Sequence, residues 1–171
     1  LQITYSIINL AIGGRQPLTL NLRSLLDSYL EHRKIVLRRR TQFLLNKAEA
    51  RKHIVEGLRI AVGNIEEVIS IVRASRDRDE ARAQLSDRFA LSDRQSQAIV
   101  DMRLGSLTGL EQKKLEAENS QLDSQIKDYR DILGRNERIL NFIREDLDEL
   151  ESRYGDDRRT EISDEEIDGG F

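Results

Sequence analysis

Residues 98–111 read AIVDMRLGSLTGLE. This apolar, helix-like run stops at Gly105, resumes at Leu107 and stops again at Thr108-Gly109. Just upstream, Ser92-Asp93-Arg94-Gln95 has the form of a capping box, with Ser at the N-cap and Gln three residues on, and it predicts a helix through Leu104. Thr108-Gly109-Leu110-Glu111 repeats the signal and starts another helix. The stretch therefore closes one helix and opens the next. A core segment, a dimer contact and a ligand pocket are all compatible with its apolar residues at this point.

Both flanks carry heptad spacing. Leu22, Tyr29, Val36, Phe43 and Ala50 lie seven apart, one position of a heptad seam, and the second seam position holds Leu26, Arg33, Arg40 and Lys47. The helical pattern continues through Ile54, Leu58, Ala61, Val62, Ile65, Ile69 and Val72. Gly57 and Gly63 soften that half and allow a bend or break. Residues 73–91 are polar and mixed, as in short helices joined by turns. After Thr108 the apolar positions are Leu115, Leu122, Ile126, Tyr129, Leu133, Leu140, Ile143, Leu147, Leu150 and Tyr154. Asn119 and Asn136 interrupt that seam, where polar residues fix register at some cost in stability. Gly155 ends this helix.

At the start, β-branched and aromatic residues from Leu1 to Ile12, then Gly13-Gly14-Arg15-Gln16-Pro17, then Leu18-Thr19-Leu20 read as a hairpin. The expected fold is mainly α: a long antiparallel coiled-coil arm with a small helical globular dimerisation knob, plus a short N-terminal β-hairpin. The expected boundaries are hairpin 1–21, first arm helices 22–72, knob 73–110, returning arm helix 111–154 and acidic linker end 155–171. About 30 paired residues would make an arm about 45 Å long at 1.5 Å per residue.

Composition agrees with an elongated shape. Charged residues make up 35% of the 171, aromatics 5%, and there is one proline, no tryptophan and no cysteine. That is poor material for a large compact core and good material for solvated helices. Lack of cysteine removes disulfides, thiolate metal sites and cysteine nucleophiles, and fits a reducing interior. No apolar run reaches the roughly 18–20 residues that span a bilayer. The chain opens on Leu1 in strand-like sequence and reads as part of something longer. Charge is unevenly spread: Arg23–Arg59 holds ten Lys/Arg against four Asp/Glu, and Asn141–Phe171 holds four against twelve. The two segments either pair as neighbouring helices or divide into a basic nucleic-acid face and an acidic tail.

Catalytic constellations are absent from the sequence. It has no GxxxxGK[ST] loop, no GxGxxG after a strand and no HExxH pair. His32 and His53 are too far apart to share a metal. The carboxylates Asp146, Asp148, Glu149 and Glu151 spread around a helix rather than converge, and the acidic tail lacks EF-hand spacing. The cluster His32-Arg33-Lys34 with Arg38-Arg39-Arg40 is denser than a helix face needs, and phosphate contact by Arg33, Lys34, Arg38, Arg39 and Arg40 is one reading of it.

Several segments together resemble one family. His32-Arg33-Lys34, Arg39-Arg40-Thr41 and Lys47-Ala48-Glu49-Ala50-Arg51-Lys52-His53-Ile54-Val55-Glu56-Gly57-Leu58 look like the long helix of bacterial type IIA topoisomerase A subunits. Gln97–Leu104 with Leu107–Glu111 resembles that family's exit-gate segment, and Gly155–Ile162 the end of its breakage–reunion core. The matches run in order over nearly the whole chain, and within the family the gyrase branch is a better likeness than the topoisomerase IV branch. Ser96 and Val100 stand where the family often has alanine and leucine.

The resemblance implies a coiled-coil arm and exit gate (C-gate) in an ATP-dependent enzyme that passes one duplex through a break in another. It also implies a homodimer through the gate, with Ala98, Ile99, Met102, Leu104, Leu107 and Thr108 as contact candidates. Double-stranded DNA and an ATPase B subunit would be the other partners, and the location cytoplasmic and nucleoid-associated. In the family, ATP and magnesium are bound by the B subunit, while the catalytic tyrosine lies upstream. This chain would therefore hold no cofactor and be inactive alone. A coiled-coil scaffold with a dimerising tip is the competing class.

Overall fold

The computed structural model describes residues 9–13, 16–102 and 109–159. Two strands, β1 (Asn9–Gly13) and β2 (Gln16–Leu20), form an antiparallel ribbon. Six helices follow: α1 (Leu22–Gly63), α2 (Ile65–Ala74), α3 (Arg78–Phe89), α4 (Asp93–Val100), α5 (Gly109–Gly134) and α6 (Asn136–Tyr154). The ribbon register pairs Ile12 with Pro17 and Gly13 with Gln16. Gln16 and Pro17 therefore belong to the second strand rather than the turn. Proline is tolerated because each strand of a two-stranded ribbon keeps a free edge.

Asn21 starts α1 by accepting a hydrogen bond on Oδ1 from the Ser24 N–H at 2.8 Å. The 42-residue helix spans about 63 Å. It ends at Gly63, and Asn64 leaves helical geometry (φ −126°, ψ 39°) before α2 begins. The break falls at the second of the two softening glycines; Gly57 stays inside the helix. Asp77 caps α3 through the Glu80 N–H, and α3 stops at Ala90 in left-handed geometry (φ 52°). The Ser86 hydroxyl donates to the Leu91 carbonyl across that turn at 2.6 Å.

Cross-helix pairs fix the direction of the arm. Arg51 meets Glu118, Lys52 meets Asp123, Arg130 meets Glu49, Arg38 meets Asn136 and Arg33 meets Asp146. Residues 49–52 of α1 meet partners at 118–130 and residues 33–38 meet partners at 136–146, so α5 and α6 return antiparallel along α1. Three apolar clusters result. Leu45, Ala48 and Val55 of α1 pack on Leu122 and Ile126 of α5 in mid-arm. Nearer the base, Ile132, Ile139 and Ile143 pack with Leu30 and Leu37. The knob core joins Ala61, Val68, Leu85, Leu91 and Ile99.

The seam on α1 differs from the expected one. Leu22 is 67% exposed, Tyr29 48%, Val36 39% and Phe43 65%. The buried line instead runs through Leu30, Leu37, Thr41, Leu45, Ala48 and Val55. Leu30, Leu37 and Leu44 are also seven apart, so two heptad lines lie side by side on this helix. Thr41, Ala48 and Val55 form a further line four residues on from Leu37 and Leu44, and the small Thr41 and Ala48 there let α5 approach, while the bulkier Tyr29 and Phe43 face outward. The returning helix is likewise not continuous. Gly134 ends α5, Arg135 is extended (φ −120°, ψ 108°), and α6 restarts the phase. Asn136 becomes an exposed first-turn residue, and Ile132 and Ile139 enter the core. Helix α4 stops at Val100, short of the Leu104 expected.

Candidate functional site

The site is the knob helix that carries the contact candidates. Ser92 caps α4 with a complete capping box: its hydroxyl accepts from the Gln95 N–H at 3.3 Å, and Gln95 Oε1 accepts from the Ser92 N–H at 3.0 Å. Gln95 is buried, and its Nε2 donates to the His53 carbonyl on α1 at 2.7 Å. The His53 ring Nε2 lies 2.6 Å from the Ser92 hydroxyl. Gly57, one turn along α1, makes room for this contact: a Cβ there would stand 2.7 Å from Gln95 Cβ and Cγ. Helix α4 is thereby seated on the arm helix at its first turn.

That seating sets the directions of the candidate contact residues. Ile99 points into the knob core, 4% exposed, against Leu85, Leu91, Val68 and Ala61. Ala98 and Met102 are half-buried. Ala98 lines a shallow open depression with Ile54, Arg82, Asp93, Arg94, Gln97 and Asp101. Asp101 is engaged there by Arg78 and by Gln97 Nε2 at 2.7 Å, and Arg82 donates to Gln97 at 3.1 Å. Leu104, Leu107 and Thr108, with the second capping box, lie outside the described residues.

The basic cluster divides. Arg33 is held by Asp146, Lys34 by Glu31 at 2.6 Å, and Arg38 donates to Asn136 at 3.0 Å. The Arg39 and Arg40 side chains are exposed and make no hydrogen bond or ion pair with any described residue. Further along, Arg51 grips Glu118 in bidentate fashion at 2.6 and 3.0 Å, and that bond raises its pKa. Lys52 bonds Asp123 at 2.6 Å and Glu56 at 3.3 Å. The bond to Asp123, then that to Glu56, raises the ammonium's pKa; the same bond from Lys52 lowers that of the Asp123 carboxyl. Among the described residues no group of three His, Asp or Glu side chains is placed to hold a metal ion. No described helix is long and apolar enough to cross a membrane.

The capping box was legible in the sequence, but its partner was not. Nothing local links His53 to Ser92, 39 residues away. Heptad spacing assigns Val36, Arg40 and Phe43 to the seam, which conceals the exposed face they share with Arg39.

Comparison of the sequence with known proteins places the chain among relatives. The family described as the A subunit of DNA gyrase/topoisomerase IV matches residues 1–148. The chain is 51% identical over 163 residues to the DNA gyrase A subunit of Halalkalibacterium halodurans, covering 95% of this chain and 20% of that protein. It is 50% identical over 162 residues to the DNA gyrase A subunit of Fibrobacter succinogenes, covering 95% and 18%. The Clostridium acetobutylicum DNA gyrase A subunit is 46% identical, covering 95% and 20%. The chain thus spans about a fifth of the length of the curated relatives it matches.

Proposed function

Because this chain belongs to the family of DNA gyrase/topoisomerase IV A subunits, we propose that it forms the coiled-coil arm and C-gate of a type II topoisomerase, in the gyrase branch. In this reading the ribbon is the edge of the domain from which the arm springs. The arm carries the knob, and the knob meets the same surface of a second copy. The enzyme cuts one duplex, passes another through it and releases that duplex by way of this gate. The catalytic tyrosine and the ATP and magnesium sites lie outside this chain, on upstream sequence and on the B subunit. The chain is therefore inactive alone and works in the nucleoid as part of the assembly.

The observation that carries the reading is the seating of α4 at the far end of the arm. Gln95 and Ser92 lock the helix to α1, Ile99 anchors its inner side, and Ala98 and Met102 keep part of their surface exposed. A small apolar surface on a rigid mount suits a contact that must hold and also release. An isologous two-fold contact needs only that one surface, facing its own copy. Leu104, Leu107 and Thr108 complete the proposed contact.

Two measurements test it. Sedimentation equilibrium of the chain should give a dimer at tens of micromolar, and a monomer would count against the gate. The chain has no cysteine, so Ala98→Cys in the full-length protein offers a crosslink site within this segment. Crosslinking across the dimer should stop strand-passage turnover; full turnover in the crosslinked enzyme would remove this surface from the gate.

A further inference from the structure

We infer that the outward face of α1 between Val36 and Lys47 binds the phosphate backbone of duplex DNA. The inference rests on the preceding reading only in taking the polyanion to be duplex DNA. Between Glu31 and Glu49, α1 carries six Lys/Arg and no carboxylate. Carboxylates offset only part of that charge: Asp146 on α6 holds Arg33 and Glu31 on α1 itself holds Lys34, while Arg38 donates to the neutral Asn136 and keeps its charge. Arg39, Arg40 and Lys47 are exposed, and their side chains have no partner among the described residues.

The acidic segment does not reach these three. Arg33 stands opposite Asp146 and Arg38 opposite Asn136, so the carboxylates beyond Asp146 lie toward the base, away from residues 39–47. Several of those opposite mid-arm are engaged elsewhere: Asp123 on Lys52, Asp128 and Asp131 on Arg138, Glu118 on Arg51. Pairing of the basic and acidic segments thus leaves the exposed Arg39, Arg40 and Lys47 with no partner among the described residues.

Helical geometry collects the surplus on one side. With Thr41, Leu45 and Ala48 turned to α5, a 3.6-residue period puts Val36, Arg39, Arg40, Phe43 and Lys47 on the opposite face. Arg39 to Lys47 spans about 12 Å, roughly three to four phosphate steps at 3.4 Å each along one strand. Two neighbouring guanidiniums can each take a phosphate through paired N–H donors, and the lysine adds a point charge. The exposed Phe43 ring lies among them and offers an apolar centre for the sugar carbons. Such contacts read charge and spacing rather than bases, so binding is independent of sequence.

The test is equilibrium binding of the 171-residue chain to a labelled duplex of about 30 base pairs, read by fluorescence anisotropy as salt rises from about 50 to 200 mM. Removing three phosphate contacts lowers the log–log salt slope by about 2.7, so wild type should lose about 40-fold more affinity over that range than Arg39→Gln/Arg40→Gln/Lys47→Gln. Neutralising Arg73, Arg76 and Lys113 elsewhere should leave the slope near wild type. Equal slopes for wild type and the 39/40/47 variant, or equal loss in both variants, would overturn the proposal. So would loss of binding in Val36→Ser/Phe43→Ser but not in the glutamine variant, which would mark an apolar protein-docking face. Far-UV circular dichroism checks folding, and sedimentation of the same samples separates the two readings. A dimer that ignores duplex sinks this inference and leaves the gate standing; a monomer that binds with the expected slope does the reverse.

Discussion

At the scale of single residues, the junction between arm and knob is decided by one missing Cβ. On an open helix, Gly→Ala stabilises by about 1 kcal/mol, because alanine loses less backbone entropy. At Gly57 the sign should reverse. The added carbon would meet Gln95 Cβ and Cγ at 2.7 Å, and Gln95 cannot swing away without giving up its bonds to the His53 carbonyl and the Ser92 cap. Gly57→Ala is expected to cost about 1–3 kcal/mol, in the range of overpacking. Urea denaturation reads it, and an unchanged or raised midpoint would refute the packing argument. In the sequence, Gly57 looked like a soft spot. Glycine inside a helix has two meanings, flexibility and close approach, and only the neighbour's position separates them.

At the scale of the element, heptad spacing revealed the arm but not which face it buries. Two lines one residue apart both satisfy the period on α1. The choice falls to the one flanked by the small Thr41 and Ala48, which admit α5, leaving Tyr29 and Phe43 outside. Asn119 on α5 was correctly read as a polar interruption of the seam: it sits one turn from Leu122, with its Oδ1 buried and without a hydrogen-bond partner among the described residues. Its Nδ2 reaches Asp123 at only 3.5 Å. A buried acceptor left unpaired costs free energy, so Asn119→Leu should stabilise the chain by about 1 kcal/mol, seen as a higher thermal midpoint. A lower midpoint would mean that the amide contributes more than register. Asn136 was read the same way and is not a seam residue, because the break at Gly134-Arg135 resets the helical phase ahead of it.

At the scale of the whole molecule, ion pairs bridge the arm along its length. The pair Lys52–Asp123 gives this a pH dependence with a definite sign. The folded Asp123 carboxyl titrates below its ordinary value of 3.8, so its contribution is present above that pH and lost as pH falls through the lowered folded value. Lys52 titrates above its ordinary 10.5, so its share persists below that pH and fades as pH rises past it. Urea midpoints taken from neutral pH down to about 2 should fall less steeply in Asp123→Asn than in wild type. Identical slopes would mean that the pair does not couple folding to protons. Both groups are open to solvent, so the effect is small and should weaken in salt.

Sequence alone determined the class of this molecule. Heptad periodicity, the Ser92 capping box and a charge-rich composition specify helices that go out, turn and come back, since those signals act within a few residues along the chain. Tertiary structure decided which face of α1 is buried, where the returning helix breaks, and that His53, Gly57 and Gln95 form one junction. It also decided which arginines remain free, because pairing depends on the register between two helices. Register is set by packing of side chains far apart along the chain, as between Arg51 and Glu118 or Arg33 and Asp146, and no local pattern encodes that distance.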